Sequence, residues 1–259
     1  MTNRKSIYYD CIGTGTMEER FKAAAEAGFA AVEMPTMDAE ECKKAQELFA
    51  KYGLVCPSIM TSGAWDNIAT SPDPEVRKKS AECYKKAIVT AKTMGCDTIL
   101  TVPGGVTKEI PYEMALENAK LTLREVVPFA EENGITMAIE NVWNKFLLTP
   151  IDMANFIDSF ESDYVKSYFD IGNVVFYGFP QHWIRFLGKR IKRVHIKGFM
   201  MEGFSRFEWT PLLESTIDWK DVMNALNGIG YESWVTAELG PDDRGLKGIT
   251  ADMDQILAL

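Results

Sequence analysis

Four side chains in this 259-residue chain have types and spacing suited to metal-assisted proton transfer: Glu140, Asp170, His195 and Glu238. Each lies at or near the end of a short β-rich segment, in "TMAIE", "VKSYFD", "RVHIK" and "WVTAE". Successive side chains of a strand alternate between faces, so Thr136, Ala138 and Glu140 share one face. Arg193, His195 and Lys197 share another, and Thr236 and Glu238 a third. A carboxylate facing into an apolar strand assembly is costly to bury without a partner. Three carboxylates and an imidazole at four successive strand ends are explained together by one divalent cation. The oxygen-rich set suits Mn2+ first, with Mg2+ and Co2+ also compatible, and suits thiolate-seeking Zn2+ less.

Taken one at a time, these residues have ordinary structural uses. Glu140 could be a salt-bridged strand end, Asp170 a cap on the following loop, His195 a satisfied core histidine, and Glu238 a partner of Arg244. All four uses would have to coincide at one place, which favours the cation. Lys197, two residues beyond His195, could bind a substrate oxygen or phosphate, or pair with a carboxylate. Trp65, in the long segment 61–74, could form an aromatic wall over a sugar or pack on the rim as a lid; Trp143 and Phe146 carry the same ambiguity. His182 reads as a surface or capping residue. Pro103-Gly104-Gly105 reads as a flexible active-site loop, because no Lys-Ser/Thr follows it as in a phosphate-binding loop.

These strand ends need a scaffold that gathers them. Short apolar runs alternate with amphipathic segments about eight times. The strands are expected at Ser6–Cys11, Ala31–Met34, Val55–Ile59, Thr98–Val102, Thr136–Glu140, Val165–Asp170, Arg193–Lys197 and Trp234–Glu238. Helices are expected at Met17–Ala27, Ala39–Tyr52, Glu75–Met94, Tyr112–Asn133, Pro150–Ser159, Gln181–Leu187, Trp219–Gly228 and Ile249–Leu259. Gly28, Gly53, Gly95, Gly134 and Gly230 follow helical runs and precede strands, as C-terminal caps do. Strict alternation implies a parallel sheet, and eight units without a dinucleotide fingerprint favour an α/β fold with one closed (β/α)8 TIM barrel spanning 1–259. In such barrels the active site forms at the C-terminal strand ends.

Composition narrows the function. With 28 Lys+Arg against 37 Asp+Glu, the net charge of −9 argues against a nucleic-acid partner. No apolar run approaches the roughly 20 residues that cross a bilayer. Five cysteines without a CxxC pair, and an N-terminus without a signal-peptide apolar stretch, give the expectation of reduced thiols in a cytoplasmic protein.

The segments "MAIEN", "YFDIGN", "RVHIKG" and "TAEL", in this order and spacing, resemble the xylose isomerase-like TIM-barrel superfamily of sugar isomerases and epimerases, in the style of its ketose 3-epimerase group. The resemblance covers essentially the whole chain, including "AGFAAVEM". It implies that Glu140, Asp170, His195 and Glu238 ligate one metal ion and that Glu140 and Glu238 are the paired acid and base. One carboxylate would take a proton from the carbon next to a carbonyl, and the other would return it to the opposite face of a cis-enediolate. The implied partner is a small-molecule sugar or sugar phosphate, and the implied assembly a homodimer or homotetramer. Two positions depart from the family pattern. Asn173 stands where many epimerases place a second His three residues after the Asp, and Met201 where many place an Arg six residues after the His. Asn173 can still bond a hydroxyl. With Lys197, Trp65 and Arg206 it completes the expected substrate-binding set. Three rival readings share the scaffold: a metal-dependent lyase or dehydratase, an apurinic-site endonuclease, and a non-catalytic sugar-binding or accessory barrel. The endonuclease needs a histidine-rich zinc cluster, which two histidines cannot supply.

Overall fold

The computed structural model describes residues 5–203 and 205–259. The chain begins with β1 (Lys5–Tyr8), which runs into a 3-10 turn at Tyr9–Ile12. It continues through α1 (Met17–Ala27), β2 (Ala31–Pro35), α2 (Ala39–Tyr52), β3 (Ile59–Met60), α3 (Pro74–Met94), β4 (Thr98–Thr101) and α4 (Tyr112–Asn133). Next come β5 (Thr136–Glu140), α5 (Pro150–Asp158), β6 (Val165–Asp170), α6 (Ile171–Val174), α7 (Pro180–Leu187), β7 (Ile191–Ile196), β8 (Gly198–Glu202) and β9 (Arg206–Thr210). The last elements are α8 (Trp219–Gly228), β10 (Val235–Ala237) and α9 (Leu246–Leu257). Hydrogen bonding among the described residues follows the order β1-β10-β7-β6-β5-β4-β3-β2 and closes into a barrel, while β8 and β9 form a separate antiparallel pair. The expected closed (β/α)8 barrel is therefore the observed fold.

Local chemistry explains the helix limits. Thr16 and Glu19 form a reciprocal capping box at the start of α1. Asp73 and Thr149 accept backbone N–H groups ahead of the prolines that open α3 and α5. All five glycines expected to follow helices have positive φ.

By internal contacts the chain divides into two units. One comprises the chain up to Met34, Lys43–Pro57 and Phe169–Leu259; the other comprises Pro35–Cys42 and Ser58–Tyr168. The first unit buries Ile7, Phe21, Val32, Val194, Ile196 and Ile249, and the Phe21 and Phe49 rings meet edge-on at 4.6 Å. The second buries Tyr84, Ile99, Leu123, Met137 and Phe156. Phe146 also belongs to this core: it is 1% exposed, with its ring 5.4 Å from that of Tyr112 and 5.9 Å from that of Phe156. Trp143 is exposed.

Four expectations need correction. The first strand ends at Tyr8, and the 3-10 turn that follows carries Cys11. The third strand is reduced to Ile59–Met60, with Val55 bridging Ala31 separately. Pro57, which lies between them, has no N–H for a ladder. The segment after Asp170 forms helix α6 rather than a loop. Pro103-Gly104-Gly105 is held from both sides, with Asn144 Nδ2 donating to the Gly104 carbonyl at 2.5 Å and the Gly105 N–H donating to Thr70 Oγ1 at 3.2 Å.

Candidate active site

Asp170, His195, Lys197 and Glu238 meet within the first unit. Asp170 closes β6 and is fully buried; its Oδ1 accepts the Asn173 N–H at 2.7 Å, which caps α6. The capping role expected of Asp170 is thus real, and it engages one oxygen while Oδ2 faces the cluster. Parallel pairing sets Thr236 of β10 against His195 of β7, and the Glu238 N–H donates to the Ile196 carbonyl at 3.0 Å. This register places Glu238, just past the end of β10, beside His195 and Lys197.

Both nitrogens of His195 are accounted for. Nε2 lies 2.7 Å from Glu33 Oε2, and both side chains are 0% exposed. A carboxylate only accepts, so Nε2 carries the hydrogen and donates it to Glu33. Nδ1 turns the other way, 3.3 Å from Glu238 Oε2 and 3.8 Å from Asp170 Oδ2. Lys197 Nζ is 2.9 Å from Asp170 Oδ2 and in ion-pair contact with Glu238 Oε2.

The two carboxylates respond differently to this setting. Burial pushes the Asp170 carboxyl up, with Lys197 opposing the shift. Burial also resists ionisation of Glu238, but the neighbouring charges of His195 and Lys197 outweigh it and hold the carboxyl well below the ordinary range. Cys11 is pushed up to about 12, chiefly by burial and then by the charge of Glu238, so its thiol stays protonated at neutral pH.

Glu140 ends β5 and is buried. One ligand atom each from Asp170, His195 and Glu238, all of the first unit, lie within 4.8 Å of one another. A cavity of about 530 Å³ opens beside Glu238, lined by Tyr8, Cys11, Lys197, Trp209 and Arg244 among others. Arg244 does not pair with Glu238. Its guanidinium donates to Asp252 through two bonds of 2.9 Å and to Asp242 at 2.9 and 2.6 Å.

The expected substrate-binding residues have separate locations. Lys197 lines the cavity. Asn173 is buried on α6, one turn beyond Asp170. Trp65 is exposed in the second unit. Arg206 lies on β9 among exposed residues, ion-paired with Glu202 and Glu208 of its own hairpin, and does not line the cavity. His182 is exposed on α7. Glu33 escaped the sequence reading, although an acidic residue inside the apolar run "AVEM" was a signal. Trp209 escaped because nothing marked "RFEWT" as a strand that returns to the cavity.

Comparison with known proteins points to one lineage. Residues 21–257 match the family described as Xylose isomerase-like TIM barrel. A D-tagatose 3-epimerase-like protein of known structure superposes with a TM-score of 0.85 at 22% identity, covering 98% of this chain and 97% of that one. The IOLI protein, crystallised with a zinc atom, gives 0.84 at 16% identity, with 98% of each chain covered. At these identities the likeness establishes the fold. The uncharacterized protein MJ1311 of Methanocaldococcus jannaschii is 26% identical over 174 residues, which are 65% of this chain and 59% of that protein. The match therefore spans under two thirds of that relative's length.

Proposed function

Because this chain belongs to the xylose isomerase-like TIM-barrel family, we propose that it is a divalent-metal-dependent sugar isomerase or epimerase whose ion is held by Glu140, Asp170, His195 and Glu238. The gathering of the Asp170, His195 and Glu238 ligand atoms within 4.8 Å carries this reading. The donor chemistry fits such an ion. Around His195 stand the carboxylates of Glu33, Asp170 and Glu238 with the ammonium of Lys197, a negative balance that a divalent cation would offset. Carboxylate and imidazole donors favour Mn2+, with Mg2+ or Co2+ as replacements.

When bound, the ion would polarise a substrate carbonyl and offset the charge that develops on its oxygen. The chain's own residues do the rest. Glu33 fixes the His195 ring so that Nδ1 faces the ion site, a positioning role typical of groups behind a metal ligand. Glu238, bordering the cavity, is placed to accept a proton from the carbon beside the carbonyl. Glu140 is its counterpart, so that one carboxylate removes the proton and the other returns it. Trp209, half exposed and lining the cavity, offers an apolar face for a sugar ring.

At its Arg244 end the cavity favours an uncharged sugar over a sugar phosphate. Its guanidinium, Arg244, is already neutralised by Asp242 and Asp252, and a phosphate there would meet two carboxylates. A panel of free and phosphorylated ketoses, incubated with the Mn2+-loaded protein in deuterated water, tests both points. A free ketose should acquire deuterium on carbon, while its phosphate should not. An unlabelled panel would sink the isomerase reading, and an eliminated product would move the chemistry to a lyase on the same site.

The Glu33–His195 contact has a measurable consequence. Glu33→Gln should weaken Mn2+ binding roughly 10- to 100-fold while leaving the four proposed ligands in place. Calorimetric titration gives the number, and unchanged affinity would remove Glu33 from the positioning role.

A further inference from the structure

Resting on the reading of Asp170, His195 and Glu238 as ion holders, we propose that Lys197 is the ion's internal stand-in. Its ammonium neutralises Asp170 and Glu238 in the metal-free protein and gives way when a divalent ion arrives.

The atoms involved make the case. Lys197 Nζ contacts Asp170 Oδ2 and Glu238 Oε2, and these are the two oxygens that His195 Nδ1 also faces. Lys197 is thus a cation at the point where the proposed ligand atoms converge, and two cations sharing those oxygens would repel at short range. The fold makes room for its side chain. A Cβ on Gly172 would overlap Lys197 Cγ and lie 2.8 Å from the Lys197 carbonyl oxygen, so the glycine keeps open the path that the lysine stem takes. The Trp209 ring adjoins this same position. Lys197 Nζ lies 5.4 Å from the centroid of the Trp209 ring, an attractive position for an ammonium. Trp209 also lines the cavity. An ammonium displaced from the carboxylates would therefore remain over Trp209, at the cavity wall, where it can donate to a substrate oxygen. Metal loading and the arming of a substrate-binding group become one event.

The test compares full-length wild type with Lys197→Gln, which keeps hydrogen-bonding capacity and removes the charge, both freed of metal by chelation. Mn2+ affinity is measured by calorimetry, and melting midpoints are recorded with and without saturating Mn2+. In the variant the Mn2+ dissociation constant should fall at least about tenfold, since no ammonium has to be displaced. Its metal-free midpoint should fall by roughly 4 °C or more, and saturating Mn2+ should narrow the gap to wild type. An unchanged or weaker Mn2+ affinity, or an unchanged metal-free midpoint, overturns the proposal. Should the glutamine variant fail to fold, Lys197→Met keeps the stem without the charge. Variants that fold only with Mn2+ support the proposal, whereas variants that fold in neither condition overturn it, because the ammonium would then be needed in the loaded state too. Wild type that shows no saturable Mn2+ binding instead overturns the underlying metal-site reading.

Discussion

Glu238→Gln should lower turnover by roughly 10³-fold on any ketose the wild type accepts, with the fold intact. Positioned acid–base groups contribute about 10²–10⁴-fold, and Glu238 is proposed to accept the substrate's proton itself. The amide is nearly isosteric but cannot accept that proton. The substitution is structurally mild, because Glu238 lies past the end of β10 with its side chain partly exposed, and its backbone N–H bond to Ile196 does not involve the side chain. In the metal-free variant Asp170 still has Lys197 as its partner. Steady-state rates should be read alongside Mn2+ content. A variant that retains the ion and loses turnover identifies an acid–base role, and one that retains turnover removes Glu238 from it.

The second large effect concerns the ion. Chelation should abolish activity, and Mn2+ or Co2+ should restore it. The reason lies in the charge of the site: Asp170 is fully buried, and burial alone pushes its carboxyl toward the neutral form. A proton abstraction that builds negative charge among buried carboxylates is unfavourable without a strong positive charge beside it. Activity that survives exhaustive chelation would place the chemistry on protein groups alone.

Much of this site was legible in the sequence because strand alternation and capping residues are local signals. The ends of β5 and β6 fall at Glu140 and Asp170 as expected, and α1, α2, α4 and α8 have the expected limits. These limits are marked by residues such as Thr16, Gly28 and Gly134 that act on their immediate neighbours. What was missed depends on contacts distant in sequence. Glu33 acquires its meaning from His195, 162 residues away. The β8–β9 hairpin follows β7 within two residues and breaks the strand–helix rhythm, so Trp209 and its place beside Lys197 could not be read from periodicity. Arg244 shows the same limit: its spacing from Glu238 suggested a pair, yet Asp252 on α9 supplies a buried bidentate partner. The sequence departures at Asn173 and Met201 also look different in three dimensions. Asn173 serves α6 through its backbone N–H to Asp170. Met201 lies on β8, paired with Phe207 of β9.

The most direct test is to count the ion. Chelator-stripped protein should be titrated with Mn2+, and the bound metal measured after dialysis, for wild type and for Asp170→Asn. One saturable Mn2+ per chain in the wild type, largely lost in Asp170→Asn, is the expected result; no saturable Mn2+ in the wild type, or equal binding in both proteins, would contradict a metal centre at these strand ends.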